Sequence, residues 1–278
     1  MKADTFQLAR DIMQGRWLIA EPEKLLPVAR AFLSRAPLEM EVKASLISEV
    51  SDPESKAAAP AKVAIIPLHG TMTKYDTCES YGTTYIARKI KEASDDDGVI
   101  GIVIDIDSGG GSSSAIPPML EAICYAKQHG KPVYAHVDMC GSAAFWVASQ
   151  CHSIYMDNEV SQIGSVGALY VFYDSTAPDP QTGLKEITIY SRKSSEKNLA
   201  YRKAIEGNYD LAMDELDALV EKFQEAVITG RPDMDKDADG VLSGRMFAAR
   251  KAISLGMADA VKTLDETVQA VFAIAEIG

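Results

Sequence analysis

VIGIVIDIDSGGGSSSAIPPMLEAICYAKQHGKPVYAHVD, residues 99–138, decides the fold. Its first nine residues are a β-branched apolar run and read as a buried strand. A glycine- and serine-rich turn, 108–114, follows. The segment 116–130 then carries prolines in its first turn and a terminal glycine, which is the punctuation of a helix. PVYAHVD (132–138) is the next strand. Two apolar strands joined through a helix lie parallel, so this stretch predicts an α/β fold with helical crossovers.

The same alternation continues on both sides. Upstream, KVAIIPLHG (62–70) reads as a strand ending in a glycine turn, and YIARKIKEASDDDG (85–98) as an amphipathic helix. Downstream, AAFWVASQC (143–151) is helix-like, and SIYMD (153–157), GALYVFYD (167–174) and KEITIYS (185–191) read as strands. The span 208–229 is a long helix with Ala212, Leu216, Leu219, Val220, Phe223 and Val227 on one face. Ahead of all this, EKLLPVARAFLS (24–35) has a helical apolar face and SDPESKAAAPAK (51–62) reads as a linker. The expected division is therefore a helical N-terminal appendage with linker over 1–60 and a main domain over 61–278.

The chain has 278 residues, a net charge of −12, 24% charged and 47% hydrophobic residues. That apolar fraction excludes a disordered chain. The acidic excess disfavours nucleic acid as a partner. No run approaches the roughly 20 apolar residues of a membrane helix, so no membrane span is expected. Asp4, Arg10, Asp11, Arg16 and Glu21 interrupt every candidate signal-peptide core. Cys78, Cys124, Cys140 and Cys151 show neither CxxC nor a metal spacing, and are expected to be reduced thiols in the cytoplasm.

Two features carry chemistry. Ser142 lies in Gly141-Ser142-Ala143-Ala144, between a strand and an apolar helix, where a serine is presented beside free backbone N–H groups. The bland alternative is a helix N-cap. Asp107-Ser108-Gly109-Gly110-Gly111-Ser112 follows the clearest strand, and adjacent glycines let N–H groups converge on an anion. It lacks the lysine of a phosphate-binding P-loop, and a plain turn is the alternative. The acidic run 233–240 resembles a calcium loop, but Met246 stands where a bidentate glutamate is needed, so no metal is expected. No cofactor is implied. His136 and His152 read as structural, while His69, on the turn after the first strand, could approach the site.

Together these stretches resemble the S49 peptidases, the signal-peptide-peptidase-A-like serine proteases that include phage head-assembly forms. The resemblance rests on VAIIPLHGTM (63–72), IDSGGGSSS (106–114), residues 131–167 and GVLSGRMFAARKAISLGMADAV (240–261). Gly109 stands where the family usually has proline. The resemblance implies a ClpP/crotonase-like fold and a Ser/Lys dyad with Ser142 as nucleophile. It also implies an oxyanion hole of the Gly111 and Ala143 N–H groups, shaped by Gly110. The family's base follows a strand, here EITIYS, which leaves Lys197 as first choice and Lys193 as second; Ser165 would help orient the lysine. Glu196 is expected to point away from Lys197. A histidine base of the ClpP type has no counterpart in IGSVGALY (163–170).

The resemblance further implies peptide-bond hydrolysis in a homo-oligomer. The N-terminal appendage is similar to the start of phage capsid-assembly proteases, which act on scaffold or capsid proteins in the host cytoplasm or the prohead. A cytoplasmic peptidase that degrades peptide fragments, and a non-catalytic assembly module, are the other readings.

Overall fold

The computed structural model describes residues 17–19, 48–51, 61–77, 80–172, 177 and 187–275, the first two stretches by backbone alone. The helix expected over 24–35 and Cys78 lie outside the described residues.

The centre is a mixed but mainly parallel sheet. Strands β3 (Lys62–His69), β4 (Val99–Ser108), β6 (Val133–Gly141), β7 (Ser153–Met156) and β10 (Ala260–Val261) run parallel to their neighbours. Their spatial order is β10-β7-β6-β4-β3, and β2 (Ser48–Ser51) closes the edge antiparallel to β3. Helices α1 (Thr83–Asp95) and α2 (Ile116–Gln128) make the crossovers β3→β4 and β4→β6, and the short α3 (Ala143–Ser149) leads from β6 to β7. The expected parallel sheet with helical crossovers is thus present, and the sheet also takes a strand from within the expected appendage.

Both sheet faces are covered, which explains why the strands read as continuous apolar runs. Ala64, Ile66, Ile102, Ile104 and Ile106 pack with Ile86, Ile90, Met119 and Ile123 of α1 and α2. On the other face Val63, Ile65, Val103 and Tyr134 meet Val268 and Val271 of α7 (Leu264–Ala275). A Cβ on Gly101 would sit 2.4 Å from Val271 Cγ1, so glycine at that position lets α7 lie directly on β4.

The long helix α5 (Asp210–Gly230), which follows α4 (Leu199–Ile205), buries Ala212, Phe223 and Val227. Phe223 stacks on Trp146 of α3 with ring centroids 4.9 Å apart and planes 8° from parallel. This contact fastens the helix that starts at Ser142 to the body of the domain.

Two expected strands run into residues outside the described ones, 173–174 and 185–186. Their described parts, residues 167–172 and 187–191, form no strand beyond an isolated β-bridge at Leu169. The short β8 (Gln162–Gly164) pairs on one side with β6 and on the other with β9 (Met246–Ala248), a strand the sequence reading did not predict. Ile187 and Ile189 are left 77% and 90% exposed.

Candidate active site

The C-terminal ends of β4 and β6 bring the two chemical motifs side by side: Asp107 pairs in register with Met139 and Ser108 with Cys140. The chain leaves β4 at Gly109 and re-forms as a three-residue strand, β5 (Gly110–Ser112). It leaves β6 at Gly141 and turns sharply at Ser142 into α3. Ser142 has φ 54° and ψ −117°, a conformation that L-residues rarely adopt. The strain is held in place: the Ser142 N–H donates to Gly164 C=O at 2.8 Å, and its C=O accepts from Trp146 N–H at 3.0 Å. Its Oγ has only a long hydrogen bond, 3.4 Å to Gly167 C=O. The side chain therefore caps no helix N–H, contrary to what the N-cap alternative requires. Ala143, the first residue of α3, has no intrahelical acceptor for its N–H.

The glycine strand is placed by the turn after β3. Met72 N–H donates to Gly110 C=O and Ser112 N–H to Met72 C=O, each at 2.9 Å. A Cβ on Gly111 would lie 2.0 Å from Met72 O, so glycine is required there by contact alone. Gly110 has φ 97°, and its N–H is taken by Ser108 Oγ at 3.1 Å. Ser108 Oγ in turn donates to Gly70 C=O at 2.6 Å. Gly110 thus shapes the loop, and Gly111 is the residue whose N–H faces away from Met72.

Beyond β8, Ser165 has φ 58° and donates its N–H to Arg245 C=O at 3.0 Å. A cavity of about 380 Å³ opens next to it, lined by Val166, Gly167, Ala168, Leu169, Val220 and Leu242 among others. Gly167 belongs both to this lining and to the hydrogen bond from Ser142 Oγ, so the cavity adjoins the serine. Its walls fit an apolar side chain.

The lysines are not hydrogen-bonded to this cluster. Lys193 and Lys197 are exposed, in the turns that precede α4, and neither is hydrogen-bonded to Ser142. Lys197 N–H donates to Ser194 C=O at 3.2 Å. The Glu196 carboxylate accepts from Ser195 Oγ at 3.0 Å and makes no ion pair with Lys197 among the described residues. The structure therefore brings together Ser142, Ala143, Gly110, Gly111 and Ser165, and hydrogen-bonds neither lysine to Ser142.

Histidine lies elsewhere. His69 Nε2 meets Asp105 Oδ2 at 3.0 Å, and His136 sits between Asp105 Oδ1 at 2.8 Å and Asp157 Oδ1 at 3.2 Å. His152 Nδ1 accepts from Val133 N–H at 2.9 Å, and desolvation lowers its pKa, which keeps the ring neutral. Burial pushes the Cys151 thiol up to about 12 and Cys140 well above its ordinary value. Cys140, two residues from Ser142, is thus no competing nucleophile at neutral pH. In the acidic run, Asp239 is engaged by Arg245 at 2.8 Å. No group of side chains among the described residues is arranged to hold a metal ion, and no described helix is long and apolar enough to cross a membrane.

The Asp105 network gives a pH-dependent expectation. Burial raises the Asp105 pKa, but hydrogen bonds from His136 and His69 outweigh it and hold the carboxyl well below the usual range. The hydrogen bond to Asp105 raises His69 above 6.5. A depressed carboxyl stabilises the fold above its unfolded pKa of 3.8 and loses that contribution as pH falls. A raised histidine contributes below 6.5 and loses its contribution as pH rises through the folded value. Asp105→Asn is therefore expected to cost about 2 kcal/mol near pH 5–6. Most of that comes from the buried His136 side, since His69 is partly screened by solvent. Urea unfolding of both proteins across pH 3–8 measures it, and the difference shrinks toward pH 3.

Comparison with known proteins follows from this geometry. The family model described as "Peptidase family S49" matches residues 125–277, more than half of the chain. Over 215 residues the chain is 25% identical to "Protease 4" of Haemophilus influenzae, covering 75% of this chain and 34% of that protein. Over 221 residues it is 27% identical to "Head-tail preconnector protein GP5" of Enterobacteria phage P21, covering 74% and 37%. The chain thus spans about a third of the length of these curated relatives. Among solved structures, a serine-to-alanine mutant of the "1510-N membrane-bound stomatin-specific protease" aligns with a TM-score of 0.39 at 17% identity, over 74% of this chain and 82% of that one. A lysine-to-alanine mutant of that protease with a substrate peptide aligns with a TM-score of 0.37 at 16% identity, over 74% and 77%.

Proposed function

The chain belongs to peptidase family S49, and from that premise we propose that it is a serine endopeptidase with Ser142 as nucleophile and Lys197 as general base. The observation that carries this reading is the Ser142 backbone, held at φ 54° with its Oγ in one long hydrogen bond and the first N–H of α3 beside it. Strain of this kind persists where it serves presentation of a group.

In this mechanism Ser142 Oγ attacks the scissile carbonyl carbon and its proton passes to the lysine amine. The oxyanion is held by the N–H groups of Gly111 and Ala143. The lysine then protonates the leaving amine, and water hydrolyses the acyl-enzyme. Ser165, beside the Gly164 carbonyl that fixes Ser142, supports the lysine. A lysine serves as base at neutral pH only when desolvation lowers its pKa from about 10.4. Lys197 is exposed in the single chain, so the reading requires a second surface over it. Ile187 and Ile189, exposed on the approach to Lys197, are apolar residues that such a surface would cover.

The functional form is then a homo-oligomer, and light-scattering mass at micromolar concentration is expected to exceed that of one 30.0 kDa chain. A clean monomer that cleaves protein would contradict this part of the reading.

The preferred substrate is a scaffold or capsid protein of an assembling phage head, in the host cytoplasm or the prohead. The likeness to a phage head-tail preconnector protein supports this choice. Degradation of peptide fragments is the second reading, supported by the likeness to Protease 4. The experiment is cleavage of a denatured generic protein by the wild type and by Ser142→Ala, Lys197→Ala and Lys193→Ala. Activity that survives Ser142→Ala removes the proposal.

A further inference from the structure

The glycine strand has a second neighbour. Residues Trp17–Ile19 form a strand, β1, antiparallel to β5, with Trp17 opposite Ser112, Leu18 opposite Gly111 and Ile19 opposite Gly110. The main sheet does not include this pair.

The direction in which Gly111 faces follows from the other side of the strand. Gly110 C=O and Ser112 N–H are both bonded to Met72. Successive residues of a strand point their backbone groups to opposite edges, so the N–H and C=O of Gly111 point to the edge where β1 lies. Opposed residues of an antiparallel pair whose groups face each other exchange two hydrogen bonds. Leu18 C=O is thereby set against Gly111 N–H, the donor assigned above to the oxyanion. Extended peptides bind to proteins in this way, by adding a strand to an exposed edge.

We propose that Trp17–Ile19 lies in the substrate position of its own chain and that the Leu18–Ile19 bond is cut in cis. The inference rests on the serine-peptidase reading. Ser142 Oγ bonds to the Leu18 carbonyl carbon, and its proton passes to the base. The C–N bond to Ile19 breaks, and the Ile19 nitrogen takes that proton and departs as an amine. Water then cleaves the ester, restoring Ser142 and leaving a carboxylate on Leu18. The products are residues 1–18 and 19–278.

The test follows the intact mass of the full chain with time, for the wild type, Ser142→Ala and Ile19→Pro, with denatured casein as an added substrate. Above the concentration at which the oligomer is complete, the wild type is expected to convert to the 19–278 product at a rate independent of its concentration. Ser142→Ala is expected to stay whole. Ile19→Pro replaces the scissile secondary amide by a tertiary amide with no N–H, and is expected to stay whole while still cleaving casein. A wild type that cleaves casein through Ser142 but keeps residues 1–18 overturns the inference and leaves the peptidase reading intact. So does a cut at another bond, or a cut that persists in Ser142→Ala. A wild type that cleaves neither casein nor itself overturns both.

Discussion

Ser142→Ala is expected to lower peptide-bond cleavage by roughly 10⁴–10⁶-fold, the loss seen when a peptidase nucleophile is removed. The fold should hardly notice. The Ser142 Oγ makes one long hydrogen bond, whereas the bonds that fix its backbone, to Gly164 and from Trp146, belong to main-chain groups that alanine keeps. Thermal unfolding of the variant is therefore expected close to wild type, which separates lost chemistry from lost structure. Lys197→Ala is expected to lower activity by a similar factor, because nucleophile and base act as a unit and their losses do not add. Lys193→Ala should stay near wild type. Steady-state cleavage of a fluorogenic protein substrate measures all three. A large loss in Lys193→Ala with Lys197→Ala active would transfer the base role to Lys193.

Gly111→Ala is the second large effect. A Cβ there would stand 2.0 Å from Met72 O and 2.6 Å from Met72 N, both backbone atoms that the parallel bridge holds. The strand must move off Met72, and its outward N–H moves with it. Loss of one oxyanion donor costs about 10²–10³-fold in kcat, and the broken bridge lowers stability as well. Gly130→Ala is the matched control: its φ is also positive, at 70°, but nothing lies within 4 Å of the new Cβ. It should cost about 1 kcal/mol of stability and leave kcat alone. Activity of Gly111→Ala at the wild-type level, measured well below its unfolding temperature, would remove Gly111 from the oxyanion hole.

Much of this was legible in the sequence, for identifiable reasons. A sheet covered on both faces produces long apolar runs, so β3, β4 and β6 stood out. Prolines and terminal glycines marked α2. Ser142 and the glycine triplet were visible because each falls at a strand end, where parallel strands deliver their chemistry. The misses have a common cause. The described parts of the strands expected over 167–174 and 185–191 have β-favouring residues but form only a bridge at Leu169, and a pairing partner is a tertiary property. Conversely β9 and β5 are short and weakly patterned, and form because β8 and Met72 offer them partners. The pairing of β1 with Gly110–Ser112 had no local signal. The Asp105 network was hidden because its members come from three strands and the residue that follows a fourth. The register that joins them appears only once the sheet is built.

The central claim is that Ser142 is a nucleophile, and covalent labelling tests it most directly. The protein is treated with a fluorophosphonate, digested, and the modified residue located by mass. The account predicts one adduct, on Ser142, that Ser142→Ala abolishes and Gly111→Ala slows. An adduct on a different serine, or cleavage of protein substrate by a chain whose Ser142 stays unlabelled, would contradict it.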